Sequence, residues 1–534
     1  MDAPSRHHST AEGAPPQRPP GRALERADFL VLAVGALVLA GVVILDALRP
    51  GGRGFLVVTP VNPDSICYFS TAHSLLFDGD FDLANQFERW PYMRERTRRA
   101  TSWFAPVPAT GLPGSPYAIG YSLLGLPFLA LGTGIDALAG QPADGYGPWA
   151  TRLFVLANVV WLTLGLLALR RWLQALGIRW RPSAGTPVAG WALTCAVALV
   201  PATTLGYYVF TVMSHTASFF AVTLFFAVWW TYRDAESWRP WAAIGALAGL
   251  MTLCRWQEAL MLAAPLTYEA QCGGARRRSG AWWRSRAAGG IVWFAVLIPQ
   301  LLQWKLIYGE LLTVPQGAGF LAWPPQWILP ALFSSHNGLF FTTPATLVGA
   351  LGLVWAALKD RMTGAPLLLA FTVQVAVVGS MPTNWHGSAF AMRNLTGALP
   401  ILAAGALFLL LRVRRPVRLA ALVWSLGGCA FTLLAAVQWR FELVPRRDRL
   451  TFDEAFSEKL RIPRGLERHR AGVRALREPD AARRVEELER VLASYGESRP
   501  LLKSLSAAYD GAGIVAERER VEHRLAELAA RRLF

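Results

Sequence analysis

The sequence predicts an all-α polytopic membrane protein, a transmembrane helical bundle with a small helical C-terminal domain, and three observations carry that prediction. Of 534 residues 53% are apolar, 22 are tryptophan, and the mean hydropathy is +0.31, more apolar than a soluble chain of this length. Many apolar stretches approach the ~20 residues that a helix needs to cross a bilayer. The basic residues behind a formal charge of +17 come in short clusters between those stretches, where topology and anionic lipid headgroups account for them. Membrane lipids are therefore expected partners and nucleic acid is not. The five cysteines, Cys67, Cys195, Cys254, Cys272 and Cys429, are odd in number and lack a CxxC pair, which points to neither a disulfide framework nor a zinc site.

Taken in order, residues 1–26 are polar, rich in Pro and His, and too hydrophilic for a signal peptide. They read as a disordered cytoplasmic tail, followed by an uncleaved first span at 27–48. Residues 49–117 form an acidic segment far longer than the roughly 12–15 residues usual for a structureless loop, so it is expected to fold, on the outer face. Residues 118–138 carry Gly120, Gly125, Pro127, Gly132 and Gly134, breakers that suit a re-entrant hairpin. With that segment re-entrant, Arg170/Arg171/Arg179/Arg181, Arg233/Arg239, Arg276 to Arg278, Arg284/Arg286, Lys359/Arg361 and the arginines of 412–418 all fall on the cytoplasmic side, as the positive-inside bias demands.

Further spans are expected at 149–169, 188–208, 212–232, 288–308, 339–358, 365–381, 395–411 and 419–437. The stretch 241–268 is too long for one upright helix and is interrupted by Cys254-Arg255-Trp256-Gln257-Glu258, so it reads as two short helices meeting at a polar tip. About 11–13 spans or half-spans are expected across 27–437. The remaining 438–534 has no span and reads as an extracytoplasmic tail with amphipathic helices at 480–494 and 500–528, Val485, Leu488, Val491 and Leu492 sharing one face. The tail pair at 480–530 is similar to one tetratricopeptide-type hairpin, which cannot bury its own face and is expected to dock on the rest of the chain or on a protein partner.

The acidic segment holds the sharpest chemical candidate. Asp64 follows the first span and precedes a helical-looking stretch, a position from which a carboxylate can take a proton from an acceptor hydroxyl; the same position also suits a helix N-cap. Asp80 and Asp82 in DGDFDLAN suit either a divalent cation such as Mg or Mn, or a second hydroxyl contact, or simple turn formation. Arg89, Arg94, Arg96, Arg98 and Arg99 break the charge pattern of an outer loop, as guanidinium forks for phosphate or as contacts to lipid headgroups. His215 in VMSHTASFF, Arg255 and Glu258 in CRWQEAL, and His386 and Arg393 in NWHGSAFAMRN are polar groups at span ends, where burial is costly and often functional. His215 equally suits a packing hydrogen bond, Arg255 and Glu258 could pair with each other, and His336 in SSHNGLFF suits a turn.

The order of DSICYFSTAHSLLFDGDFDLANQFE, SPYAIGYSLLGLPF, SHTASFF, LCRWQEAL, LFSSHNGLFFTTP and NWHGSAFAMRNLTGALP resembles the bacterial integral-membrane glycosyltransferases of the GT-C superfamily, relatives of protein mannosyltransferases and lipid A aminoarabinose transferases. The resemblance spans roughly 27–437. It implies a sugar transferase of the bacterial cytoplasmic membrane, active on the outer face, that uses a polyprenyl-phosphate-linked donor and a glycan, lipid or protein acceptor. It also implies an acidic catalytic base in the first external loop, here Asp64. The family often carries two adjacent acids there, whereas Ser65 follows Asp64, which leaves metal dependence unassigned. Arg255 or Arg393 would hold the departing phosphate, with His215, His386, Glu258 and Arg96 as further substrate contacts. Because a lipid phosphate leaves readily, no separate general acid is required. Two other classes are compatible with the sequence: a transporter or lipid flippase, which would carry internal repeat symmetry, and an inactive relative that serves as a scaffold through its tail.

Overall fold

In a computed structural model the described residues are 62–180, 190–272, 279–317, 319–382 and 389–533, with positions 28, 29, 31–33, 35 and 36 of the first expected span. The tail 1–26 and most of 27–48 lie outside them. The described residues are helical, with no β-strand among them. Five helical stretches, Gly120–Leu138, Pro148–Trp180, Gly280–Tyr308, Arg393–Arg412 and Arg415–Arg440, are long and apolar enough to cross a membrane, the mark of a membrane protein.

The acidic segment does fold. It contributes α1 (Pro63–His73), α2 (Ala84–Glu88) and α3 (Pro91–Thr97) before α4 (Gly120–Leu138). Within α1 every residue from Ser65 to His73 is buried, so this is a packed helix and not a surface strip. Contrary to the hairpin expected at 118–138, α4 is one continuous helix through Pro127. Its glycines serve close packing instead of a bend: a Cβ on Gly125 would lie 2.3 Å from the Phe154 ring, and one on Gly132 would lie 2.5 Å from the Trp149 carbonyl. Both ends of α4 nevertheless stay at one end of the bundle. Before it, Tyr117 donates to Asp64; after it, the Asp144 carbonyl meets the His73 ring at 2.8 Å and the Asp144 carboxylate pairs with Arg89 at 3.2 Å.

The next helix, α5 (Pro148–Trp180), begins at that same end, its first N–H groups capped by Asp136 at 3.0 and 2.9 Å. At ~1.5 Å per residue it is about 50 Å long, and its far end reaches the opposite pole, where Arg179 forks onto Asp360 at 2.7 and 2.9 Å. The chain then passes through α6 (Gly190–Ala198), α7 (Thr204–Tyr208), α8 (His215–Tyr232) and α9 (Trp238–Cys254). The single helix expected at 188–208 is divided between α6 and α7 at Pro201, whose missing N–H ends the ladder. After α9 the chain breaks at Arg255 in extended geometry (φ −156°, ψ 127°), turns through a 3-10 segment at Trp256–Leu262 and returns as α10 (Ala263–Gln271). This is the two-helix tip expected from the sequence.

The bundle closes with α11 (Gly280–Tyr308), α12 (Ile328–Phe333), α13 (Leu339–Thr342), α14 (Thr346–Lys359), α15 (Gly364–Val378), a 3-10 turn at Arg393–Ala398, α16 (Leu399–Arg412) and α17 (Arg415–Arg440). Pro344 divides the helix expected at 339–358 into α13 and α14. Where α14 crosses α16, a Cβ on Gly352 would lie 2.0 Å from the Gly405 carbonyl oxygen, so the two backbones touch as small residues allow in apolar bundles.

Arginine contacts fasten both poles. At one, Arg170 pairs with Asp28 at 2.7 Å, Arg233 bonds the Tyr268 hydroxyl at 3.2 Å, and Arg286 pairs with Glu269 at 2.7 Å. The acidic segment and the tail occupy the other. The tail is larger than the expected hairpin: α18 (Ile462–Ala475) precedes α19 (Ala481–Tyr495), and the expected 500–528 helix is two, α20 (Arg499–Ala512) and α21 (Val515–Ala530), divided at Gly513 with φ +72°. Each packs on the next around Leu488, Leu501, Leu505 and Tyr509. Arg499, only 3% exposed, fastens the array to the segment after α17 through Glu454 at 2.7 Å and Asp448 at 2.9 Å.

Candidate active site

Asp64 lies in the first turn of α1, but it is not the cap. Asn62 accepts the Asp64 N–H at 3.1 Å, which leaves the Asp64 carboxylate free to reach other elements while the helix N-terminus favours its negative charge. One oxygen, Oδ1, accepts the Tyr117 hydroxyl; the other, Oδ2, accepts Arg393 Nη1 at 3.0 Å. The two ionic side chains are 16% and 21% exposed, enclosed yet reachable. Burial and the neighbouring Asp64 charge hold the Tyr117 hydroxyl well above its usual pKa, so near neutral pH it remains an O–H donor to the carboxylate.

Sequence fixes α1 in place. Ser65 Oγ donates to the Val212 carbonyl at 3.0 Å, Tyr68 donates to Ser214 Oγ at 3.1 Å, and Ser122 Oγ donates to the Tyr68 carbonyl at 2.8 Å. Phe69 is fully buried, its ring 5.4 Å edge-on to Phe154. Arg393 is presented by a tight turn: its N–H donates to the Ala391 carbonyl at 2.9 Å, and Ala391 is left-handed at φ +52°, a conformation costing a non-glycine residue about 1 kcal/mol.

Behind this pair lies a polar layer drawn from three elements. Arg255 donates through Nη1 to His215 Nδ1 at 3.0 Å and through Nη2 to Asn394 Oδ1 at 2.6 Å. An acceptor at Nδ1 fixes the imidazole as the neutral tautomer with its proton on Nε2. Thr396 Oγ1 lies 3.3 Å from the same Nδ1. The buried Nε of Arg255 has no hydrogen-bond partner among the described residues. Arg255, Arg393 and Asp64 are close enough to feel one another's charge.

Glu258 is fully buried beneath them and does not bond to Arg255, the pairing that the sequence allowed. Its carboxylate accepts Ser218 Oγ at 3.0 Å and Gln374 Nε2 at 3.1 Å, and Gln374 also donates to the Gln257 carbonyl at 2.7 Å. Gly397 is required here, since a Cβ would lie 2.0 Å from a Glu258 carboxylate oxygen. Glu258 is therefore a support of the tip that carries Arg255, one layer below any surface a substrate could reach.

Of the residues singled out from sequence, Asp64, Arg393, Arg255 and His215 come together. Arg96 does not join them: on α3 it donates to the Tyr92 hydroxyl at 2.7 Å and lies 5.2 Å from that ring. Asp80 accepts Ser74 Oγ at 2.7 Å and the Asp82 N–H at 3.1 Å, while Asp82 accepts the Ala84 N–H at 2.9 Å, so both carboxylates serve the turn into α2. His386 lies outside the described residues. His336 is buried and meets the Arg446 carbonyl at 2.9 Å, docking the tail. Sequence reasoning missed Tyr117, Asn394, Thr396 and Gln374; Tyr117 stands in SPYAIGY and Asn394 directly follows Arg393, inside segments already of interest.

Asp64 is engaged by a guanidinium and a hydroxyl, Asp80 and Asp82 by local N–H and O–H groups, and no cluster of three or more His, Cys, Asp or Glu suited to a metal occurs among the described residues. In comparisons with known proteins, the chain matches no family model and no characterised sequence.

Proposed function

We propose that the protein is a membrane glycosyltransferase that moves a sugar, with inversion, from a polyprenyl-phosphate donor to a hydroxyl acceptor at the outer face of a bacterial cytoplasmic membrane. The observation that carries this reading is the Asp64–Arg393 pair at 3.0 Å with Arg255 behind it: a carboxylate and two guanidinium groups in one enclosed site, at the pole opposite the basic clusters.

The chemistry follows from those charges. As the acceptor oxygen bonds to the anomeric carbon, its proton passes to Asp64 Oδ2. The bond from that carbon to the phosphate oxygen breaks, and the electron pair leaves with the lipid phosphate. Arg393 and Arg255 face the developing charge, and guanidinium donors hold phosphate strongly in an enclosed setting. His215 and Asn394 orient Arg255 for that task. The resemblance of the ordered segments to GT-C enzymes agrees with this assignment, and the positive-inside bias favours an external site.

The test is release of polyprenyl phosphate by the purified protein in nanodiscs, given a panel of polyprenyl-phosphate sugars and mixed acceptors. Donor consumption that depends on Asp64 and Arg393 supports the reading. Consumption unchanged in both Asp64→Asn and Arg393→Gln would remove this site from any transfer reaction.

A further inference from the structure

Both oxygens of the Asp64 carboxylate have a partner in the resting protein: Oδ1 takes the Tyr117 hydroxyl and Oδ2 takes Arg393. Arg393 Nη1 cannot donate to this carboxylate and to a phosphate in one geometry, so an entering phosphate meets a cation already held by Asp64. The two roles proposed for this pair therefore compete while the pair is closed.

We propose that Asp64 is the resting occupant of the site's anion pocket, and that a lipid monophosphate displaces it from Arg393, freeing Oδ2 at the moment the donor arrives. This rests on the reading of the site as one for a lipid phosphate, not on sugar transfer itself. Three features make the exchange feasible. Arg393 stands on a turn closed by its own N–H to the Ala391 carbonyl at 2.9 Å, so a swing of the side chain is enough to open the pair. Arg255 brings a second guanidinium, its buried Nε without a hydrogen-bond partner among the described residues, so the site holds a cation that the carboxylate does not use. Tyr117, held through Oδ1 and half-buried beside Tyr68 with ring centroids 5.3 Å apart, keeps the carboxylate oriented once Arg393 has left. Tyr117 is thus a positioning residue, and Asp64 and the phosphate compete for one cation.

The consequence is a binding effect that depends on both partners of the pair. Relief of charge repulsion would by itself tighten the binding of an anion; competition for Arg393 differs in that the gain is lost when Arg393 is replaced. Full-length protein in nanodiscs is titrated with a polyprenyl monophosphate, with the uncharged polyprenol as control and no acceptor present. Asp64→Asn is expected to bind the monophosphate about three- to tenfold more tightly than wild type, the scale of one charge-assisted interaction released, with polyprenol binding unchanged. Arg393→Gln is expected to bind it about tenfold or more weakly, and the double variant to match Arg393→Gln alone, because the competition needs both partners.

A second readout uses the wild type, so the result does not depend on how a variant folds. Modification of Asp64 by an apolar carbodiimide, followed by mass spectrometry, is expected to rise when the monophosphate is added and to stay level with polyprenol. Equal or weaker monophosphate binding in a folded Asp64→Asn, or labelling that the monophosphate leaves unchanged, overturns the exchange. Tightening without turnover on any sugar donor would sink the transferase reading and leave the exchange standing; turnover without tightening would do the reverse.

Discussion

At the residue scale, the site is a set of charges arranged so that each holds another in place. Tyr117 matters because its hydrogen bond to the Asp64 carboxylate is one that the proposed phosphate exchange leaves untouched. Tyr117→Phe is expected to lower kcat by about 10- to 100-fold, the scale of a hydrogen bond to a charged group, with a small change in KM; a raised KM at full kcat would instead make Tyr117 a binding residue. What could be seen in the sequence was the chemistry-bearing residue types: Asp64, Arg255, Arg393 and His215 stand in short polar runs at the ends of apolar stretches. Their pairing could not be seen, because Asp64 and Arg393 are 329 positions apart and only the fold brings them together. For the same reason Arg255 and Glu258, three apart in sequence, read as partners, yet the extended backbone at Arg255 sends the two side chains to different layers.

At the scale of elements, hydropathy located the apolar helices well and their interruptions less well. Pro201 and Pro344 end helices that an averaged window reads as continuous, whereas Pro127 and four glycines sit in a helix that stays whole, and neighbouring packing uses the small size of three of them, Gly120, Gly125 and Gly132. In the tail, amphipathic periodicity found α19, but α18 is Arg-rich and reads as polar until it is paired. The tail's anchor is testable. Arg499 is buried against Glu454 and Asp448, so Arg499→Ala takes the cation from buried Glu454 and leaves Asp448 to Arg532, and it is expected to destabilise docking by about 3–5 kcal/mol. Limited proteolysis should then cut 441–461 rapidly with the bundle intact; an unchanged digest would show that the apolar contacts suffice.

Lys459 gives the same junction a pH dependence. It is 6% exposed, its ammonium lies 4.2 Å from the Phe431 ring, and burial lowers its pKa from 10.5 to about 8. Between those values the unfolded junction binds more protons than the folded one, so stability rises as pH increases from about 8 to 10.5; below about 8 the full cost of burying the charge, on the order of 3 kcal/mol, is present. Thermal unfolding of the tail should shift upward across that window, and Lys459→Met should flatten the shift. A slope that survives in Lys459→Met would assign it to another group.

For the whole molecule, the two poles decide orientation. Basic clusters gather where Arg179 meets Asp360 and Arg286 meets Glu269, and the candidate site and tail share the opposite pole. The proposed outward-facing site therefore requires an outward-facing tail. A reporter fused after Phe534 should be active as alkaline phosphatase and dark as a fluorescent protein in a bacterial host; the reverse pattern would turn the site toward the cytoplasm, where a lipid-linked donor of the proposed kind would have to be presented from the inner leaflet.

The most direct test of the central claim is single-turnover sugar transfer in lipid, comparing wild type with Asp64→Asn at saturating polyprenyl-phosphate sugar and matched donor occupancy. The account predicts that the variant binds the donor at least as well and loses transfer by about 100-fold or more, the contribution expected of a general base. Transfer at the wild-type rate by a fully occupied Asp64→Asn would contradict it.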